Sequence, residues 1–137
     1  MLGRILMSSS GLYFVLGSFI ADFNTTHVYN PRWPPHAKFH NGQTMSAAIA
    51  YAAATIYYSF KTNAGPAAES ESLFAAALFG SMYAVTGLSA ILYPGAKGMD
   101  PEFGDAWLPQ LPIFAPALVA NWLGYWLEKS ALLAKVK

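Results

Sequence analysis

Every histidine of this chain lies in one short segment, residues 22–44, which reads DFNTTHVYNPRWPPHAKFHNGQT. Long apolar runs flank it on both sides. Asp22 closes the first run, and His27, His36 and His40 follow. Histidine titrates near neutrality and can both give and take protons. A carboxylate at the edge of a low-dielectric cavity is a stronger base than one in water. An acid and an imidazole within hydrogen-bond reach fix each other's orientation, as proton-transfer sites require. Asp22 with His27 or His40 fits that chemistry. His36 and His40 stand four residues apart, the spacing that puts two side chains on one helical face. That spacing also suits a metal ion shared with Asp22 or His27. Pro34-Pro35 just before His36, and the absence of an HExxH-type helix, argue for the metal-free reading with no cofactor. His36 and His40 are therefore counted with Asp22 and His27 as acid–base candidates.

A second polar loop near residue 100 carries Asp100 and Glu102, which can supply the other carboxylate of an acid/base pair. Asn121 sits inside an apolar stretch, where a carboxamide needs a partner helix or a ligand. Asn30, Arg32, Trp33, Gln43, Tyr83, Gln110, Asn121, Trp122 and Tyr125 form the expected substrate-contact set. Tyr51, Tyr57, Tyr58 and Thr86 are further candidates to line a mostly apolar cavity.

The elements that must position these groups are apolar. Of 137 residues, 55 % are hydrophobic and 11 % charged, against about 25 % charged in typical soluble domains. Four runs nearly free of charge stand out: Ile5–Ala21, Thr44–Phe60, Ser72–Met99 and Ala106–Leu127, with Lys97 the one charge among them. Each contains a segment near the ~17–25 apolar residues that cross a ~30 Å hydrocarbon core. The expectation is an all-α, four-transmembrane-helix bundle, one domain over 1–137, with the proline-rich loop as its cap.

Helix boundaries follow from local signals. The first helix is expected over Ile5–Phe23 and the second over Gln43–Phe60, after a turn at Asn41-Gly42. The third starts at Ser70 or Ser72 and ends at Tyr93 before Pro94-Gly95. The fourth covers Leu111–Glu128 with Pro116 inside, followed by a short basic tail. Small residues at four-residue spacing, Ser46-Ala50-Ala54 and Ala76-Gly80-Ala84, predict close helix packing or, as a second reading, a homodimer seam. An even number of spans puts both termini on one face. Five basic residues on that face against three on the other place the termini in the cytoplasm. The absence of cysteine excludes disulfides and thiol chemistry. A net charge of +1 without a basic patch gives no reason to expect nucleic acid.

The segment from Ala21 to Thr44 resembles a family of small four-helix integral membrane proteins, mainly fungal and largely uncharacterised. The likeness extends through the four-segment layout of the whole chain. Proteins of similar layout in fungal metabolite pathways act as cyclases, isomerases or epoxide-opening hydrolases on lipophilic intermediates. The resemblance thus implies epoxide opening, cyclisation or isomerisation in a membrane, the endoplasmic reticulum in a eukaryote. A weaker similarity is to the sterol isomerase and sigma-2 receptor family. Asn121 and Trp122 are adjacent here and the acids lie at helix ends, so no residue role carries over from it. The alternative is a non-enzymatic protein that binds membrane lipid or sterol, or assembles a complex, with Arg32, Trp33 and Lys38 touching headgroups or a partner.

Overall fold

The computed structural model describes residues 1–136. Among them are four α-helices and no strand: α1 Leu2–Asp22, α2 Pro35–Phe60, α3 Pro66–Ser89 and α4 Leu111–Val136. One turn of 3-10 helix, Ala90–Leu92, ends the α3 segment. α1 and α3 each lie against both α2 and α4, and they also touch each other across the bundle. Two segments, α1 and Pro66–Leu92, are long and apolar enough to cross a membrane.

Several boundaries differ from the sequence expectation, each for a local reason. α2 starts eight residues early, because Pro35 occupies its first turn while Pro34 stays extended. Proline lacks an N–H and has a helical φ, so it suits a first turn. Pro66 does the same for α3. The Asn41-Gly42 turn does not form. Asn41 lies inside α2 and heads its buried row of Asn41, Met45, Ala48, Ala52, Thr55 and Ser59. The spacing alternates between four and three, the period of one helix face. The expected stripe on α2 is thus rotated outward: Ser46 and Ala50 are exposed and Ala54 half-buried, whereas Ala76, Gly80 and Ala84 of α3 are buried as expected. The basic tail is instead the last part of α4, and buried Leu132 holds it to the core.

Small residues fill much of the interior beside a few large ones such as Met7, Phe14, Leu73 and Tyr125, and most large apolar side chains lie outside. Gly11, Ala48, Ala52, Ala76, Ala77 and Gly80 are buried, while Leu12, Leu16, Ile20, Leu78, Val85, Val119 and Leu123 are exposed.

At the terminal end, buried Glu128 gathers three partners. It accepts from the N-terminal ammonium, from the Gly3 N–H at 3.0 Å and from Arg4 Nε at 3.2 Å. Arg4 also pairs with Glu69 and donates to the Ser59 carbonyl. The start of α1, the end of α2, the start of α3 and the last turns of α4 therefore meet at one end. The histidine-bearing loop and loop 94–110 lie at the other.

Candidate functional site

At that far end all four helices splay around a cavity of about 720 Å³. Its deep wall is apolar and aromatic, with Phe14, Tyr83 and Phe114 in mutual ring contact at 5.2–5.7 Å. Its polar end carries Asp22, His27, Gln43, Asp100 and Gln110. Tyr13, Tyr51 and Thr86 bring further hydroxyls.

The turn after α1 places His27. Asn24 Nδ2 donates to the Ile20 and Ala21 carbonyls, both at 2.9 Å, and so caps orphan acceptors at the helix end. Asn24 Oδ1 accepts from the Thr26 N–H at 2.7 Å and from the Thr26 hydroxyl at 2.6 Å. Thr26 Oγ1 lies 2.7 Å from His27 Nδ1. With the hydroxyl hydrogen given to Asn24, Nδ1–H of His27 donates to Thr26 Oγ1. Nε2 then bears the lone pair and faces Asp22 Oδ1 at 3.9 Å. The other carboxylate oxygen, Oδ2, accepts from Asn41 Nδ2 at 2.8 Å.

Asp22 Oδ1 and His27 Nε2 are too far apart for a direct hydrogen bond. They form two acceptors across a gap that one donor, an O–H of water or substrate, can fill. A proton released there can pass to either the carboxylate or the imidazole, and either can act as a general base.

The two loops are latched together. Trp33 Nε1 donates to Asp100 Oδ2 at 3.2 Å, and its ring meets the His27 ring edge-to-face at 4.7 Å. Arg32 pairs with Glu102, which also accepts from Asn30 Nδ2 at 3.3 Å. Gln110 Nε2 donates to the Gly98 carbonyl at 2.6 Å. Gly98 has no room for a side chain: an added Cβ would lie 2.5 Å from Pro109 and from the Trp107 carbonyl.

The sequence candidates thus divide. Asp22, His27, Asp100, Gln43, Tyr83 and Gln110 meet at the cavity, with Tyr51 and Thr86. Glu102, Asn30, Arg32 and Trp33 lie outside its lining and hold the loops together. His36 and His40 are also outside it: the early start of α2 carries them onto that helix's exposed face. Among the described residues no three His, Cys, Asp or Glu side chains are placed to share a metal ion, so His27 does not join that pair. Asn121, Trp122 and Tyr125 belong to another seam. Asn121 is fully buried, and its Nδ2 donates to the Ala77 carbonyl at 2.8 Å and to Ser81 Oγ at 3.1 Å. Trp122 and Tyr125 pack on Phe74. Tyr57 and Tyr58 are likewise away from the cavity, Tyr58 stacking on Phe79. The cap is also reassigned. Loop 94–110 closes the cavity with Ala96–Asp100, Phe103 and Leu108–Gln110, and of the proline-rich loop only His27 lines it. Asn41 was missed as a partner of Asp22; its place in the four–three row of α2 is the signal that reveals it.

One family model matches residues 6–136, nearly the whole chain. The chain belongs to that family of unknown function, DUF6640. No curated protein and no solved structure matches this DUF6640 chain.

Proposed function

We propose that this chain is a multi-pass membrane enzyme of four spans. It takes a lipophilic small molecule into the cavity and carries out metal-free proton-transfer chemistry on it: epoxide opening, cyclisation or isomerisation. The apolar exterior supports the membrane reading. Large apolar side chains cover the outer faces of all four helices, a surface that in water would drive association. Small residues inside let the helices approach, which is how helices pack where lipid replaces the hydrophobic drive. At ~1.5 Å per residue, α2 and α4, each 26 residues long, have the length to cross a ~30 Å core. The charge bias puts the termini, with the Arg4–Glu128 cluster, on the cytoplasmic face.

The observation that carries the catalytic reading is the Asp22–His27 gap at the polar end of an otherwise apolar cavity. In the epoxide version, water enters that gap and its proton passes to the Asp22–His27 pair as its oxygen attacks carbon. The carbon–oxygen bond breaks, and the ring oxygen takes a proton from a donor on the cavity wall. Tyr83, which lines the same cavity, is the donor on that wall. The pair then releases its proton and the donor regains one, both through solvent, so no net proton is consumed. The test is conversion of a lipophilic aryl epoxide to its diol by purified protein. General acid–base groups contribute about 10²–10⁴-fold, so Asp22→Asn and His27→Gln should each lose that much. Turnover in both variants equal to the parent's would remove the pair from the mechanism, and no turnover by the parent would leave a binding protein.

A further inference from the structure

The outward histidines make a site of their own. We infer that His36 and His40 form a surface chelate for one divalent transition-metal ion of the zinc, nickel or copper type. Their Nε2 atoms face each other at 3.0 Å. At a metal–imidazole bond of about 2.0–2.1 Å, two nitrogens on one ion lie roughly 2.9 Å apart at a right angle and 3.4 Å apart at the tetrahedral angle. The observed separation falls inside that range; without an ion one Nε2–H donates to the other Nε2, and a bound ion takes that proton's place between the two rings.

Three neighbours prepare the pair. Pro35 starts α2 one residue before His36 and brings both rings to one face one turn apart. Phe39 lies parallel to the His36 ring at 6.0 Å and edge-on to His40 at 5.5 Å, which restricts both rings. Gln43 Oε1 sits 3.3 Å from His40 Nδ1. An acceptor there keeps the proton on Nδ1 and turns the Nε2 lone pair toward His36, as outer partners do for metal-bound histidines. Imidazole ligands suit zinc, copper and nickel. With two protein ligands, water fills the remaining positions and the ion stays exchangeable. Gln43 also lines the cavity, so the chelate and the candidate active site share one side chain. The proposal does not rest on the catalytic reading.

The test is calorimetric titration of the full chain, free of any polyhistidine tag and in detergent, with zinc chloride and separately with nickel chloride. The expected result is one ion per chain. His36→Asn and His40→Asn should each weaken it tenfold or more, while His27→Asn leaves it unchanged. Copper-loaded protein should show two coupled nitrogens by electron paramagnetic resonance, and one in either single variant. Unaltered binding in His36→Asn and His40→Asn, no binding by the parent chain at millimolar metal, or equal loss in His27→Asn would each overturn the assignment.

Discussion

Asp22 and His27 face each other across 3.9 Å with no bond between them, and each is pinned from behind. Asn41 holds the far oxygen of Asp22, and Thr26 holds the far nitrogen of His27. The gap is thus held between the end of α1, tied to α2 through Asn41, and the turn that follows α1. Replacing Asn41 with Leu should free the carboxylate without removing it. Turnover should then fall by roughly tenfold, well short of the 10²–10⁴-fold expected for losing the base itself. Steady-state kinetics of Asn41→Leu beside Asp22→Asn measures the difference.

The loop latch should act on order rather than on global stability. Arg32 is largely exposed in its pair with Glu102, and exposed pairs contribute about 0–1 kcal/mol. Arg32→Gln should therefore change the unfolding midpoint little. It should raise amide hydrogen exchange across residues 94–110, because that loop loses a tie to residues 23–34. Exchange spread evenly over all four helices would contradict the latch.

The α3–α4 seam is set by a glycine. A Cβ on Gly80 would lie 2.4 Å from Asn121 Oδ1, so Gly80→Val must displace the carboxamide from Ala77 and Ser81. Inter-helical hydrogen bonds in membranes are worth about 0.6–1.7 kcal/mol each, and the lost close packing adds to that. Gly80→Val should cost more than Asn121→Ala in thermal unfolding in detergent. The double variant should cost less than the sum, because both changes break the same contact.

Glu128 makes stability depend on acid. Burial pushes its carboxyl up, but the N-terminal ammonium, Arg4 and the Gly3 N–H outweigh it and hold the group below its ordinary value. A group lowered on folding stabilises fully above its unfolded value, about 4.3 for glutamate, and that contribution vanishes as pH falls through the folded value. The unfolding midpoint should be flat from pH 7 to about 5 and fall below about 4. Glu128→Gln should start lower at neutral pH and lack this component of the fall. Arg4→Met leaves the buried carboxylate short of a partner and should cost roughly 3 kcal/mol.

The helical class was legible in the sequence, because long runs poor in charge have few other ways to fold. The polar end of the cavity was also largely legible: Asp22, His27 and Asp100 stand next to apolar runs, and Tyr83 lies inside one. The pairing of His36 and His40 on one helical face was legible from their spacing, but their place outside the cavity was not, because it depends on where α2 begins. Asn41-Gly42 imitates a turn, and only the row from Asn41 to Ser59 shows that the helix passes through it. Asn121 was misplaced for a different reason. Its partners are a backbone carbonyl and a serine on α3, and no local pattern announces a bond of that kind. The charged residues after Leu127 hid the end of α4, which Leu132 anchors from within.

The central claim is that the Asp22–His27 gap moves protons for a lipophilic substrate. It is tested most directly by incubating purified protein with trans-stilbene oxide in ¹⁸O-labelled water and following labelled diol by mass spectrometry. The account predicts one ¹⁸O per diol from the parent chain and about 10²–10⁴-fold less product from Asp22→Asn. Diol formed equally fast by Asp22→Asn, or no diol from the parent chain above the uncatalysed rate, would contradict it.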